Sequence, residues 1–310
     1  MTMHPVFEAL LTRAKAKPMI RVAVAHPCDA LTLESIAAAV QAGLILPLLV
    51  GPEAKIRAAA AEAAIDIAAW PITDTPHSHA SAEAAVALVR AGKADAVMKG
   101  SLHTDELMAA VINRACGLRT ERRISHCYVM ATKGHAEPLI VTDAAINIAP
   151  DLRSKADIVQ NAIDLAHAIG VAEVRVAILS ATETVNPDIQ STLDAAALCK
   201  MADRSQITGA LIDGPLALDN AINMGAVTQK HIISKVAGKA NVLVVPDLVA
   251  GNILAKTLSF MAHAEAAGIV VGAKVPVILT SRADTLESRI VSCALAKLLA
   301  EVKLFKGVGK

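Results

Sequence analysis

Short apolar runs recur along the chain, each closed by glycine, proline or a small polar cluster. Between them lie longer segments in which apolar residues return every three or four positions. The short runs predict buried strands and the periodic segments amphipathic helices. Toward the N-terminus, strands at 20–25, 44–50 and 94–98 alternate with helices at 31–41, from 53 onward, at 81–90 and at 105–114. Gly51-Pro52 ends the second strand, Ala91-Gly92 stops a helix, and Thr104 is placed to cap the helix that follows it. Strand and helix alternating at such short spacing predict right-handed βαβ crossovers and a mostly parallel sheet.

Around residues 124–141 the rhythm changes. Apolar runs at 127–131 and 138–141 are separated only by Thr132-Lys133-Gly134-His135-Ala136-Glu137, which is too short for a crossover and predicts a hairpin. Alternation then resumes: helix 154–169, strand 174–179, helix 189–201, strands 210–212 and 242–245, helix 253–267, and a strand at 275–279 that leads into a last helix. The switch near Arg122 is the domain boundary the pattern offers. At 310 residues the chain exceeds the usual size of a single core and suits two domains of roughly 150 residues each.

Composition narrows the picture. Apolar residues make up 54% of the chain but aromatics only 2%, so the core must be built from Ala, Val, Leu and Ile. A formal net charge of +1 gives no long-range field for nucleic acid or an anionic membrane. One Trp, one Tyr and three Phe give no stacking platform for single strands. The five cysteines contain no Cys-x-x-Cys pair, which argues against a disulfide framework or a zinc cluster and fits a reducing cytosol. The longest uncharged stretch, 35–52, is broken by Gly and two Pro, so no membrane span is expected. The N-terminus lacks the apolar core of a secretion signal. The expectation is a soluble cytoplasmic protein without nucleic-acid or membrane partners.

Candidate chemistry gathers after strands, where open α/β sheets place their ligand sites. Ser281-Arg282-Ala283-Asp284 offers a hydroxyl, a guanidinium fork and a carboxylate: the means to grip an oxyanion and accept a proton. The plainer alternative is a helix start in which Ser281 or Asp284 caps and Arg282 pairs with a surface acid. Lys99-Gly100-Ser101-Leu102-His103-Thr104 could bind an anion through Lys99, close backbone approach at Gly100 and a helix N-terminus, or could be an ordinary turn with a solvated lysine. Asp213-Gly214-Pro215-Leu216 and Asp247 to Asn252 end two consecutive predicted strands, and Gly251 and Asn252 could hold the amides of a pantetheine arm. Each alone also suits a simple turn. His77-Ser78-His79 lacks a third ligand nearby and reads as surface rather than metal site. Cys28, beside His26-Pro27, reads as a small buried thiol rather than a nucleophile.

Pro246-Asp247-Leu248 with Gly251-Asn252-Ile253, followed by Ser281-Arg282, is similar to the phosphate acetyl/butyryl transferase family. Met98-Lys99-Gly100-Ser101-Leu102-His103-Thr104, Thr142-Asp143-Ala144-Ala145-Ile146-Asn147, Thr192-Leu193-Asp194-Ala195-Ala196 and Asp213-Gly214-Pro215-Leu216-Ala217-Leu218-Asp219 extend the likeness from about Arg21 to the C-terminus. The Lys-Gly and Asp-Gly-Pro-Leu forms look closer to the butyryl and mixed-acyl branch. The resemblance implies an α/β fold of two three-layer domains with mostly parallel sheets and a cleft between them, on the plan of isocitrate and isopropylmalate dehydrogenases. The expected domains are 1–124 with 275–310, and 125–274, the second dimerising. The implied reaction is reversible transfer of a short acyl group between coenzyme A and inorganic phosphate, directly within a ternary complex. Coenzyme A is then a substrate, and no bound cofactor or metal is implied. The implied catalytic residues are Ser281, Arg282 and Asp284, with Glu287 the alternative proton acceptor. Lys99, Gly100, Ser101, His103, Thr104, Asp213, Gly214, Asp247, Gly251 and Asn252 are the implied substrate contacts, and Lys99 or Arg114 replaces a positive charge that the acetyl branch carries after its histidine. The rivals are a nicotinamide-dependent hydroxyacid dehydrogenase on the related fold and a non-catalytic protein binding CoA or acyl phosphate.

Overall fold

The computed structural model describes residues 3–280 and 284–307, with side chains through residue 302. In chain order the elements begin α1 (Pro5–Lys15), β1 (Ile20–Ala25), α2 (Ala30–Gln41), β2 (Ile45–Gly51), α3 (Glu53–Glu62), β3 (Ile72–Asp74), α4 (Ser78–Arg90), β4 (Ala96–Lys99) and α5 (Thr104–Ile112). They continue with β5 (Ser125–Ala131), β6 (Leu139–Thr142), α6 (Leu152–Ile169), β7 (Arg175–Leu179), α7 (Gln190–Asp203), β8 (Leu211–Leu216), α8 (Leu218–Ile222), α9 (Met224–Gln229), β9 (Val242–Val244) and α10 (Leu248–Phe260). The chain closes with β10 (Glu265–Val271), β11 (Val277–Ile278) and α11 (Leu286–Gly307). It forms two compact units, one of residues 1–122 with 267–310 and one of residues 123–266.

In the first unit the strand order is β3-β2-β1-β4-β11-β10. All neighbours run parallel except β10 and β11, which pair antiparallel through Val270 and Val277. Small side chains let the helices lie close to the sheet: Ala39 of α2, which packs on β2, and Ala82 and Ala85 of α4, which packs on β1, are fully buried. The chain returns to this unit at residue 267, ahead of the 274/275 boundary expected from sequence, because 265–271 is a strand of this sheet. The predicted helix 253–267 is therefore corrected at both ends. Asp247 starts α10 by accepting the Ala250 N–H, and the helix stops at Phe260, ahead of His263, whose φ of +53° no helix continues. The alanines around Glu265 imitate helix, but the β-branched Ile269-Val270-Val271 fills a buried strand position.

In the second unit the order is β5-β6-β9-β7-β8. β5 and β6 form the predicted hairpin and pair antiparallel, while the other neighbours are parallel. β8 runs through Asp213-Gly214-Pro215 instead of ending before it, and β7 separates β8 from β9. The register shifts between Ala177 and Leu179 opposite this motif, so it forms an irregularity in an edge strand, where proline is tolerated. A buried apolar cluster, with Met130, Val141, Leu179, Leu216, Leu243 and Val245 among its members, fills one side of the sheet.

One resemblance motif proves to be a core brace. Thr192 Oγ1 is turned to the Asn186 and Ile189 carbonyls, and Asp194 accepts a hydrogen bond from Lys155 Nζ at 2.6 Å, both side chains about nine-tenths buried. Gln190 Nε2 satisfies the other Asp194 oxygen at 2.9 Å. Removing one partner strands a buried charge, so Lys155→Met should cost about 3–5 kcal/mol in urea denaturation. The double variant Lys155→Met/Asp194→Leu should recover most of that loss, and equal losses in the two proteins would contradict the brace.

Candidate active site

The first unit has a topological switch. From β1 the chain moves outward to β2 and β3, then returns to the other side of β1 as β4. The crevice outside the carboxyl ends of β1 and β4 is where such sheets bind ligands. The two loops that leave these strands are stitched together. Gly100 N–H donates to the Ala25 carbonyl at 2.9 Å, Ser101 N–H to the His26 carbonyl at 2.9 Å, and Ser101 Oγ both donates to His26 O at 2.8 Å and accepts from Cys28 N–H at 3.2 Å. His26 itself sits at φ +56°, a left-handed conformation that costs a non-glycine residue on the order of 1 kcal/mol or more. A Cβ at Gly100 would lie 2.5 Å from Ala25 O and 2.6 Å from His26 O, both backbone atoms that cannot yield.

Above this junction is a cavity of about 330 Å³ lined by Asp29, Leu31, Thr32, Lys99, Gly100, Ser101, Thr280 and Arg289. Lys99 is 8% exposed, with Nζ donating to the Gly100 and Leu102 carbonyls at 3.2 and 3.1 Å, so the solvated-lysine alternative is set aside. Asp29 caps α2: its carboxylate accepts the Thr32 N–H at 2.8 Å and the Thr32 hydroxyl at 2.6 Å. Arg289, 5% exposed, reaches the cavity from α11. Of the two candidates for the additional positive charge, Lys99 lines the cavity, whereas Arg114 lies exposed beyond the end of α5.

Ser281 and Arg282 lie outside the described residues. Asp284 is half-buried and its carbonyl accepts from Arg289 Nε at 3.4 Å. Thr285, rather than Asp284, takes the capping position on α11, accepting the Ser288 N–H at 3.2 Å, while Glu287 is exposed in the first turn. The expected cap at Thr104 is likewise corrected: His103 is the N-cap of α5, and its N–H is held by Glu106 Oε2 at 3.1 Å. Thr104 is already helical.

The second-unit motifs are more committed to structure than expected. Gly251 N–H donates to the Asp247 carbonyl within α10, and Asn252 Nδ2 gives one of its two N–H groups to the Ala144 carbonyl at 3.4 Å. Asp213 Oδ1 accepts the Gly214 N–H, and a Cβ at Gly214 would meet the Ile178 carbonyl at 2.8 Å. In the Asp143 motif the buried carboxylate accepts the Ala145, Ile146 and Asn147 N–H groups and Asn147 Nδ2. His77 caps α4 through Nδ1 and His79 lies 3.3 Å from Glu106. Burial pushes the Cys28 thiol up to about 11 and those of Cys127, Cys199 and Cys293 up to about 12, so all four stay protonated at neutral pH.

The family described as phosphate acetyl/butaryl transferase matches residues 79–297. The chain belongs to that family. A phosphate acetyltransferase of Rhizobium meliloti is 58% identical over 95% of this chain and 93% of its own length. A phosphate butyryltransferase of Clostridium acetobutylicum is 42% identical over 95% and 98%. The crystal structure of a branched-chain phosphotransacylase from Enterococcus faecalis V583 superposes with a TM-score of 0.79 at 30% identity, covering 91% of this chain and 99% of that one.

Within this family frame, Arg289 is a cavity residue that sequence reading missed, as are Asp29 and Thr32. The signal was present: helical spacing puts 289 on one stripe with the buried Cys293, Ala296 and Ala300, so a cation there sits on the apolar face and not toward solvent. The junction beneath the cavity is the feature that should tolerate change least. Gly100→Ala should lower stability by several kcal/mol or shift the β1–α2 loop, with a large loss of turnover. A soluble Gly100→Ala protein with unchanged melting temperature and activity would show that the close approach is dispensable.

Proposed function

We propose that this chain catalyses reversible transfer of a short acyl group from acyl-CoA to inorganic phosphate, giving acyl phosphate and free CoA. The observation that carries the reading is the cavity at the β1–β4 switch point, whose lining brings Lys99, Arg289 and the Gly100–Ser101 loop together at the carboxyl ends of two parallel strands. A phosphate oxygen attacks the thioester carbonyl carbon, the C–S bond breaks, and the CoA sulfur leaves as thiolate and takes up a proton. Such a reaction needs a clamp for phosphate, donors for the oxyanion and a group that carries the thiol proton. We assign Arg282 and Ser281 to clamp and oxyanion, Lys99 to phosphate, and Asp284 to the proton. Asp284 suits the last role because Thr285 has taken the cap and Glu287 faces outward. The protonated thiols favour direct transfer over an acyl-cysteine intermediate, and orientation of the two bound substrates then supplies much of the rate. We further read the protein as cytoplasmic, with coenzyme A a substrate and no resident cofactor.

A homodimer through the second unit is the assembly we propose. Val249, Ile253 and Phe260 recur at helical spacing along α10 and are 62%, 61% and 74% exposed, an apolar stripe of the kind that subunits bury. Ile253→Asp should convert the dimer to monomer in sedimentation equilibrium. A monomeric parent, or a dimer unchanged by the substitution, would rule this face out.

Activity is tested by thiol release from acetyl-, propionyl- and butyryl-CoA with and without phosphate; release that does not depend on phosphate would overturn the reading. In the reverse direction a CoA thiol, with a pKa of about 8.5, is mostly protonated at neutral pH and needs a base. Asp284→Asn should therefore slow the CoA-consuming direction at least tenfold, with partial recovery as pH rises and free thiolate accumulates. Glu287→Gln should change it less than threefold, and the opposite ranking would move the proton to Glu287.

A further inference from the structure

We propose that His26 is a positioning residue: its imidazole, hydrogen-bonded to Ser81, holds the left-handed turn whose carbonyl pins the Gly100–Ser101 loop beneath the first-unit cavity. Its part in turnover rests on the acyl-transfer reading of the same site and adds a residue to it.

Two things oppose the turn that follows β1. At φ +56° the Cβ of an L-residue crowds the following carbonyl oxygen. Pro27 then pushes the residue before it toward extended backbone. A conformation so opposed persists only where its surroundings over-determine it. His26 is tied in three directions. Its N–H donates to the Val50 carbonyl of β2 at 2.6 Å. Its carbonyl accepts from the Ser101 N–H and hydroxyl, beyond β4, at 2.9 and 2.8 Å. Its ring Nδ1 lies 3.1 Å from Ser81 Oγ of α4. The first two ties use backbone that almost any residue supplies, and only the third uses the imidazole.

The proton count at Ser81 gives that third bond its direction. Ser81 Oγ has one proton and three neighbours: the His77 carbonyl at 2.9 Å, Thr75 Oγ1 at 2.8 Å and His26 Nδ1 at 3.1 Å. A carbonyl only accepts, so the Ser81 proton goes to His77, and Ser81 accepts from the Thr75 hydroxyl and from His26. His26 is thereby assigned the Nδ1–H tautomer. Ser81 is fully buried and Thr75 is 8% exposed, so water does not compete for these bonds. Burial first, then the charge of Lys55 and that of His77, pushes the imidazole below its ordinary pKa against the pull of Glu106, and the ring is neutral at pH 7. Protonation would add an N–H at Nε2 and leave the Nδ1 donor in place, so the tie itself does not depend on pH. Thr75 follows β3 and Ser101 follows β4, so the chain from Thr75 through Ser81 and His26 to Ser101 crosses the carboxyl ends of the sheet from β3 to β4. Ser101 and its neighbour Gly100 line the cavity, and their placement therefore depends on a side chain that does not.

The test uses the whole protein and compares His26→Gly, His26→Asn and Ser81→Ala with the parent. Glycine relieves the strain and removes the ring. Asparagine tolerates the left-handed region and can place Nδ2 where the imidazole has Nδ1. Hydrogen exchange over residues 24–32 and 97–104 reads the junction without turnover, and phosphate-dependent thiol release reads kcat. His26→Gly should exchange roughly tenfold faster in both segments and lose kcat by about tenfold or more, with a melting temperature near the parent's. His26→Asn should recover at least about a third of the parent kcat and the parent's exchange, with the pH profile of kcat unchanged in shape. Ser81→Ala should resemble His26→Gly, and the double variant should lose no more than the worse single one, because both cut the same tie. Unchanged exchange or unchanged kcat in His26→Gly overturns the inference, as do additive losses in the double variant. A His26→Asn protein no better than His26→Gly takes the role away from the Nδ1 donor and overturns it too. Loss of one limb of the pH profile in His26→Asn makes the imidazole a proton carrier, which overturns the positioning role. Should His26→Gly not fold, Ser81→Ala decides by the same two readings. If the parent releases no thiol in response to phosphate while exchange ranks the variants as expected, the acyl-transfer reading fails and the anchored turn stands.

Discussion

The site depends on one close approach of backbone to backbone. At the carboxyl ends of β1 and β4 the Gly100 N–H meets the Ala25 carbonyl at 2.9 Å, and a single added methyl group would fall within 2.5 Å of that oxygen. Because the chain runs from β1 outward to β2 and β3 on one side and returns as β4 on the other, the loops after β1 and β4 lead apart and a crevice opens between them. Without the contact the loops would separate and the crevice would have no floor. With it, Lys99 is turned back over its own loop, Asp29 is set at the start of α2, and the walls stand where α11 can add Arg289. The left-handed conformation of His26 is the local cost of bringing its carbonyl within reach of both Ser101 donors.

The same view explains what the shared motifs can encode. Gly100 and Gly214 are required because backbone, not ligand, occupies the space a side chain would need. The Asp143 and Thr192–Asp194 segments are turns and braces whose polar atoms are spent internally. Motifs of this kind fix the architecture of the family and say little about the acyl group. That is the physical reason the Lys-Gly and Asp-Gly-Pro-Leu forms give no dependable branch assignment: relatives named as acetyl and as butyryl transferases match the chain at 58% and 42% identity. Chain-length preference has to come from apolar residues around the thioester, where one methylene is worth only about 1–3 kcal/mol.

Legibility of the sequence divided along the same line. Elements whose periodicity and punctuation agreed were readable, such as β1, α2, α6 with its Asp151 cap and Gly170 stop, and the β5–β6 hairpin. Where local composition opposed the tertiary outcome, reading failed. Alanines disguised the start of β10 as helix, and the edge-strand irregularity at Gly214 looked like a strand end. α1 went unassigned, although its buried Phe7 and Leu10 recur at helical spacing. Cavity membership was harder still. Lys99 was visible because it sits in a motif, whereas Arg289 was not, since its meaning depends on α11 packing on β11, the strand beside β4, and on Thr280 following that strand into the cavity. Sequence spacing places a residue on a face of its helix but does not say what that face meets.

A chain at +1 has no overall field with which to draw in a substrate as anionic as phosphate or CoA. Whatever selectivity for anions it has must be local, and local charge acts strongly only where water is kept out. An Ala-rich, nearly ring-free core gives helices that pack close to the sheet and can bury cations near a strand end, as Lys99 at 8% and Arg289 at 5% exposure show. Such burial is costly in isolation, and helix cap, loop carbonyls and rigid helix mounting together make it tolerable. Lys99 and Arg289 are thus buried beside the position where β1 and β4 part.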